Sequence, residues 1–155
     1  MILDGRVLIE IIPLCELYTT HRGNRRLMVF VHKGRRCVIC EREGVLLLRT
    51  KDIKGGREHV DLYTEDFVLM TVDHIVPKAQ ARKIGWSRET IERLTNKQPM
   101  CTCCNGHKGD KLITNDEYKE IRLRNGYPAK RTGIEIIRQL VHNENIFNRN
   151  LEGVV

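Results

Sequence analysis

The sequence has few aromatic residues and no long apolar run. Phenylalanine, tyrosine and tryptophan make up 5% of the 155 residues, and Trp86 is the single tryptophan. A core built with so few large apolar side chains is thin, and a bound metal ion can supply the missing stability. No apolar run approaches the roughly 20 residues that a membrane-spanning helix requires. We therefore expect a globular protein with a metal-braced core and no membrane segment.

The first residues also lack the features of an export signal. Asp4, Glu10 and Glu16 interrupt the apolar N-terminal stretch, which has no basic start and no long apolar centre. In a secreted protein, the six cysteines would suit three disulfides. Because no export signal is found, we expect a cytoplasmic protein whose cysteines bind metal.

No low-complexity tract and no linker rich in proline, glycine or serine divides the chain. A length of 155 residues suits one domain with extensions. We divide it into a basic N-terminal extension at residues 1–36, a central module at residues 37–111 and a helical C-terminal extension at residues 112–155.

The positive charge is concentrated near the N-terminus. The formal net charge is +7, and residues 1–36 alone carry seven lysines and arginines against three acidic residues. Basic residues with glycine and asparagine between them suit contacts with phosphates. A run of charges is also typical of an ordinary solvated surface, which is the alternative. The candidates for nucleic-acid binding in this region are Arg22, Arg25, Arg26, Arg35 and Arg36.

Apolar runs predict strands in the first half of the chain. Leu27–Val31, Val45–Leu48 and Phe67–Val72 are short runs typical of buried strands. Two glycines within residues 54–57 indicate a turn. Val7–Leu17 is apolar but contains a proline, so helix and strand are both open there.

Helix start and stop signals dominate the second half. Ser87 can cap a helix that runs to about Leu94. The segment Thr114–Glu117 is a capping box for a helix to about Arg124, and a last helix can begin at Thr132. Strands followed by helices predict an α+β fold.

Four cysteines form two Cys-x-x-Cys pairs. This spacing directs two sulfurs at one ion, and two such pairs complete a tetrahedral thiolate site for a structural Zn²⁺. The four expected ligands are Cys37, Cys40, Cys101 and Cys104. Cys15 and Cys103 do not have the spacing, so we expect them to be buried free thiols.

Asp73 and His74 are the residues expected to carry hydrolytic chemistry. Phosphodiester hydrolysis needs a base that deprotonates water and a cation that neutralises the leaving oxygen. His74 suits the base because its ordinary pKa lies near neutral pH, and Asp73 is a hard oxygen ligand for Mg²⁺ or Mn²⁺. Neighbours on a strand face opposite sides. Both can join one site only if the strand bends or ends, and Pro77 fits such an ending.

The order of these motifs resembles that of the HNH endonuclease family, the ββα-metal nucleases. The residues that carry the resemblance are Asp73–Pro77, Asn96–Gln98 and Cys101–Lys108, with the pair Cys37–Cys40 upstream. The resemblance is to the variant with two Cys-x-x-Cys pairs, and it covers about half of the chain. It implies a ββα-metal core in which zinc ties the strand entering the site to the helix leaving it.

The resemblance also implies roles for single residues. Asn105, at a position where the family often has histidine, would bind the catalytic cation together with Asp73. His107 lies two residues further on and is the alternative ligand. Asn96 would brace the loop of the catalytic base through bonds to the backbone, and Lys108 would meet a phosphate.

One departure from the family pattern lies between the first cysteine pair and the expected active site. Thirty-two residues separate Cys40 from Asp73. They predict an inserted hairpin, which either contacts DNA or extends a sheet.

The expected function is that of a metal-dependent endonuclease acting on DNA, most simply double-stranded DNA. An RNA-directed nuclease would differ only in its substrate. A zinc-stabilised DNA-binding module without catalysis is the alternative of another class. Such a module has no use for Asp73, His74 and Asn105 together, which favours the nuclease.

Overall fold

The N-terminal strands and the inserted hairpin form one antiparallel sheet. The computed structural model describes residues 1–3 and 5–126. Each neighbouring pair of strands in this sheet is antiparallel. The strands, in their order across the sheet, are β1 (Ile2–Leu3), β2 (Arg6–Ile12), β3 (Gly44–Asp52) and β4 (Glu58–Thr64).

The inserted hairpin extends the sheet, which is one of the two expected outcomes. The predicted strand Val45–Leu48 is confirmed within β3. In the turn that joins β3 to β4, Gly55 and Gly56 have φ angles of +85° and +66°. Glycine adopts such angles without steric cost, so the two glycines account for the predicted turn.

Pro13 divides the stretch Val7–Leu17, for which the sequence allows both helix and strand. β2 ends at Ile12, and a 3₁₀ turn at Leu14–Tyr18 follows Pro13. Proline has no N–H to donate to a strand ladder, so the strand ends there.

The strand predicted at Leu27–Val31 is wrong, because this segment lies in a helix, α1 (Arg25–Lys33). The side chain of Asn24 accepts hydrogen bonds from two backbone N–H groups of the first turn, each at 3.1 Å. Leu27 and Phe30, three residues apart, are both buried on one face of the helix. A run of five apolar residues does not distinguish a strand from such a face.

A second, two-stranded sheet carries the expected site residues. β5 (Met70–His74) pairs antiparallel with β6 (Lys97–Cys101). The helix α4 (Thr102–Lys108) follows β6 directly and packs against both strands. The predicted strand that ends on Asp73 and His74 is therefore confirmed from Met70 onward. Phe67 lies before it in a turn, with φ at +58°.

Short helices connect β5 to β6. They are α2 (Lys78–Lys83) and α3 (Arg88–Ile91), followed by a 3₁₀ turn at Leu94–Asn96. The hydroxyl of Ser87 accepts from the backbone N–H of Thr90 at 3.1 Å, as its predicted capping role requires.

The predicted capping box is confirmed at the start of α5 (Asn115–Asn125). The Thr114 hydroxyl accepts from the N–H of Glu117 at 3.2 Å, and the Glu117 carboxylate accepts from the N–H of Thr114 at 3.0 Å. The helix predicted to begin at Thr132 lies outside the described residues.

One apolar core joins both sheets and three of the helices, so the mixed architecture confirms the α+β class. Side chains from residues 1–36 share this core with side chains from residues 37–111 and with α5. Three cysteines of the predicted zinc site are part of it. Among the described residues, no helix has both the length and the apolar character needed to cross a membrane. The main core residues are Ile12, Leu17, Leu27, Phe30, Cys37, Leu47, Leu62, Met70, Met100, Cys101, Cys104 and Tyr118.

Candidate metal centre and active site

The fold brings the two cysteine pairs together. Cys37 and Cys40 lie in the loop between α1 and β3, whereas Cys101 ends β6 and Cys104 lies in the first turn of α4. Their four Sγ atoms all lie within 4.8 Å of one another. One ion can contact four sulfurs at this separation, so the predicted cluster has the geometry to hold a metal ion.

Two of the four cysteines are biased towards thiolate, the form of cysteine that binds metal. Hydrogen bonding with Cys101 and then Cys104 lowers the pKa of Cys40 to about 7 and lowers that of Cys37 as well, whereas the pKa values of Cys101 and Cys104 are raised. The Sγ atoms of Cys40 and Cys101 are 3.7 Å apart. A cation in the cluster would relieve the mutual repulsion of these sulfurs once they ionise.

The two remaining cysteines lie outside the cluster. Cys103 is half-buried and packs against the core, in agreement with a free thiol. Cys15 is exposed, so its predicted burial is wrong. The 3₁₀ turn that contains it directs Leu17 into the core instead.

Asp73 is a buried carboxylate held by two partners. Its Oδ2 accepts a hydrogen bond from the side-chain amide of Gln98 at 2.8 Å and one from the ammonium of Lys108 at 2.6 Å. Gln98 stands directly opposite Asp73 in the β5–β6 pairing. It also exchanges side-chain hydrogen bonds with Asn115, at 2.9 and 3.1 Å. The first residue of α5 is therefore connected to the carboxylate through a single amide.

His74 is the last residue of β5, and its side chain is 17% exposed. Its Nε2 lies 3.5 Å from a carboxylate oxygen of Glu92. Burial lowers the pKa of His74 below its ordinary value of 6.5, although Glu92 acts in the opposite direction. The imidazole is therefore neutral at pH 7, which is the form that can accept a proton.

Asp73, His74 and Asn105 line one open pocket of about 410 Å³. The strand ends at His74, so neighbouring residues of β5 reach the same pocket, as expected from the position of Pro77. Lys78 and Arg82, both on α2, also line it and add positive charge.

Asn105 reaches this pocket from α4. Its side-chain N–H donates to the hydroxyl of Thr71 at 2.9 Å, which leaves its amide oxygen out of that bond. His107 is exposed and is not among the residues that line the pocket. A carboxylate and an amide oxygen are the hard ligands that Mg²⁺ and Mn²⁺ prefer. The geometry thus favours Asn105 over His107.

The ligand set of this pocket is sparse. Among residues 1–3 and 5–126, the four cysteines form the only group of three or more histidine, cysteine, aspartate or glutamate side chains that could hold a metal ion. A cation between Asp73 and Asn105 would complete its shell with water and substrate oxygens, as Mg²⁺ commonly does.

Asn96 braces the loop after His74, as predicted. Its side-chain amide donates to the carbonyls of Val76 and Ile91 at 3.2 and 3.0 Å, and its Oδ1 accepts from the N–H of Val76 at 2.8 Å. Its own carbonyl accepts from the N–H of Ile75 at 2.9 Å. This buried side chain therefore fixes the backbone between β5 and α2.

The predicted phosphate contact of Lys108 does not agree with its position. The side chain is 1% exposed, and its ammonium bonds the Asp73 carboxylate and the carbonyl of His74, the latter at 3.0 Å. Cys104 lies one helical turn earlier and is also buried, so Lys108 shares the inward face of α4. Lys108 therefore orients Asp73 from inside the protein.

Two of the predicted basic residues lie in a groove near His74. Arg22 and Arg25 line this groove, of about 350 Å³, together with His32, Glu92 and Lys97. Both arginines are exposed. Glu92 connects the groove to the pocket by one contact, since its carboxylate lies 3.5 Å from Nε2 of His74, which lines the pocket.

The other predicted basic residues are held in ion pairs. Arg26 pairs with the buried carboxylate of Asp61, which Arg6 also contacts at 3.0 Å. Since Asp61 is fully buried, Arg26 has a structural role that its position in the basic run does not indicate.

Arg35 and Arg36 both pair with one exposed acid. Their guanidinium groups lie 3.3 and 3.4 Å from the carboxylate of Glu43. Neither residue lines the groove beside the active site. Arg36 remains 67% exposed, so this pairing leaves it accessible to solvent.

Three residues of the site were given no role from sequence. Thr71 and Asp73 are two apart on a strand and share a face, so alternation could have indicated Thr71. Gln98 belongs to the motif Asn96–Gln98, but its contact with Asp73 follows only from the β5–β6 register. Glu92 carries no local signal, because the chain returns to His74 through two short helices.

Comparison with known proteins identifies no relative of this chain. No protein-family model, no curated protein and no solved structure matches it.

Proposed function

We propose that this protein is a metal-dependent endonuclease of the HNH type that hydrolyses phosphodiester bonds in DNA. The observation that carries this proposal is that Asp73, His74 and Asn105 line a single open pocket. The pocket lies on a strand–strand–helix unit, the element order that the family resemblance implies.

In this proposal, His74 is the general base. Its neutral imidazole takes a proton from a water molecule as the water oxygen bonds to phosphorus. The bond from phosphorus to the leaving sugar oxygen breaks, and that oxygen leaves with the electron pair and is protonated by solvent. Lys78 and Arg82 would attract the phosphate, because both line the pocket.

Asp73 and Asn105 would hold a hard divalent cation, Mg²⁺ or Mn²⁺. Such an ion supplies positive charge at the leaving oxygen. The donor set fits it, since a carboxylate and an amide oxygen line the same pocket and Gln98 orients the carboxylate.

We further propose that the four-cysteine cluster binds a structural Zn²⁺. Four sulfurs around one point form a closed site, which is typical of zinc that stabilises a fold. The cluster would tie the loop after α1 to the junction of β6 and α4, which keeps Asn105 in position behind Cys104.

The groove beside the pocket supports DNA as the substrate. Arg22, Arg25 and Lys97 give this groove the positive charge that a phosphate backbone requires. Glu92 lines the groove and lies 3.5 Å from Nε2 of His74, so a strand bound in the groove would pass near His74.

One observation favours the alternative of a zinc-stabilised DNA-binding module without catalysis. The ammonium of Lys108 lies 2.6 Å from the Asp73 carboxylate and compensates its negative charge. In a module of this kind, Asp73 would be a structural anchor for α4 and would need no cation.

Cleavage of supercoiled plasmid distinguishes the two functions. Purified protein with measured zinc content is incubated with plasmid and Mg²⁺, with Mn²⁺, or with no added divalent ion. We expect nicked or linear products only when the ion is added, with zinc content unchanged. Retention of plasmid by the protein without cleavage under any of these conditions would favour the binding module.

A further inference from the structure

Glu92 lines the basic groove and also contacts His74, which lines the neighbouring pocket. It follows α3, and its carboxylate faces three basic side chains. One oxygen lies 3.5 Å from Nε2 of His74 and 3.1 Å from the ammonium of Lys78, and the other lies 2.9 Å from the ammonium of Lys97. The two lysines therefore hold the carboxylate beside the imidazole.

The carboxyl group of Glu92 is ionised at neutral pH. Hydrogen bonding with Lys97, reinforced by Lys78, lowers the pKa of Glu92 to about 2. Its side chain is 38% exposed, so this network is of limited value for stability. Because this network contributes little to stability and ends at His74, the expected catalytic base, we infer that it serves catalysis.

The chemistry of a neutral imidazole explains why such a partner is useful. Only one ring nitrogen of neutral histidine carries a hydrogen, and the other accepts a proton. Nε2 of His74 is buried and has no ideal hydrogen-bond partner among the described residues. The Glu92 carboxylate is an acceptor for an Nε2–H group, and in that tautomer Nδ1 is the nitrogen that can accept a proton from water.

We propose that Glu92 is a positioning residue that holds the His74 ring in the orientation and tautomer required of a general base. This inference rests on the proposed nuclease function. The separation of 3.5 Å is longer than a normal hydrogen bond. Contacts of this kind tighten when substrate closes the site.

The test compares Glu92→Gln with Glu89→Gln. Glu89 is a matched control because it is an acid in the same helical segment, is 87% exposed and pairs with Arg93 at 3.9 Å. Both changes remove one negative charge, but only Glu92 lines the proposed DNA groove, so KM is expected to change in Glu92→Gln and not in the control. We expect Glu92→Gln to lower kcat by about 10–100-fold, as is usual when a partner that orients a functional histidine is lost. The positioning role is therefore judged on kcat, measured at saturating DNA.

A double-mutant cycle with His74→Ala shows whether Glu92 acts through His74. We expect Glu92→Gln to have no further effect in the His74→Ala background, since the ring that it orients is gone. Melting temperature and zinc content are measured for each variant. If Glu92→Gln does not fold, Glu92→Asp, which keeps the charge but shortens the side chain, is placed in the same cycle and should lower kcat.

The outcomes separate this inference from the function on which it rests. If His74→Ala is inactive and Glu92→Gln matches Glu89→Gln, the positioning role is wrong and the nuclease stands. An equal loss from Glu92→Gln with and without His74 would also overturn the inference. If His74→Ala is fully active, the nuclease mechanism itself fails.

Discussion

The ammonium of Lys108 lies 2.6 Å from the carboxylate of Asp73, and both side chains are almost completely buried. Removal of one member of such a pair leaves the other charge buried without compensation. The pair therefore couples the anchoring of α4 to the orientation of the expected cation ligand.

We predict that Lys108→Met destabilises the protein by about 3–5 kcal/mol, the usual cost of breaking a buried ion pair. Lys111→Met is the matched control, because Lys111 is exposed three residues further on. It should change stability by less than about 0.5 kcal/mol. Urea unfolding with zinc present measures both. Equal stability of the two variants would show that the buried pair has no structural value.

The position of Lys108 shows where sequence reasoning failed in the active site and why. The motif order singled out Asp73, His74 and Asn105, which the fold brings to one pocket, and Asn96, which braces the loop beside it. Lys108 was interpreted as a phosphate contact, although its spacing of four from the buried Cys104 indicates the inward face of α4.

Fold prediction failed for a related reason at the start of α1. The apolar run Leu27–Val31 was assigned by composition, whereas the Asn24 cap and the spacing of Leu27 and Phe30 indicate a helix. Glu92 is different, since its contact with His74 depends on how two short helices fold back. No pattern within the sequence encodes that distance.

The cysteine cluster predicts a division of the six cysteines into two classes. Cys37→Ser and Cys104→Ser should lose bound zinc and unfold or aggregate, because metal binding and folding are coupled. Cys15→Ser and Cys103→Ser should keep both zinc and fold. Elemental analysis and thermal melting test this. Folded, zinc-free Cys104→Ser protein would contradict the assignment.

The groove predicts which arginines contact DNA. Arg22→Ala with Arg25→Ala should weaken binding to all sequences and reduce the slope of log affinity against log salt by about 1.8, at about 0.9 per phosphate contact. Lys54→Ala with Arg57→Ala is the charge-matched control, since both residues are exposed in the β3–β4 turn. Identical salt slopes in the two double variants would show that the groove arginines do not contact DNA phosphates.

Arg26 should behave differently from its neighbours. Arg26→Ala removes a partner of the buried Asp61, so we expect a loss of stability with a smaller change in the salt slope than either groove arginine causes. Urea unfolding and DNA binding at several salt concentrations measure the two effects separately. A stable Arg26→Ala protein with a reduced salt slope would instead support the sequence-based prediction that Arg26 contacts nucleic acid.

The pH profile of cleavage follows from the environment of His74. Protonation removes the base, so activity should fall on the acid side. Burial lowers the pKa of His74, and the midpoint of that fall should therefore lie below 6.5. A cation on Asp73 would repel the imidazolium and move the midpoint the same way. Rates are measured at saturating Mg²⁺, and a midpoint above 6.5 would argue against this histidine as the base.

The most direct test of the nuclease is the single-turnover cleavage rate of His74→Ala at saturating Mg²⁺ or Mn²⁺. The control is His107→Ala, which removes an exposed histidine from the nearby helix α4. We predict that His74→Ala keeps its zinc, its fold and its DNA affinity but loses roughly 10²–10⁴-fold in rate, the usual contribution of a positioned general base. His107→Ala should cleave normally. Cleavage by His74→Ala at the wild-type rate, in protein free of contaminating nuclease, would contradict the account and favour the zinc-stabilised DNA-binding module.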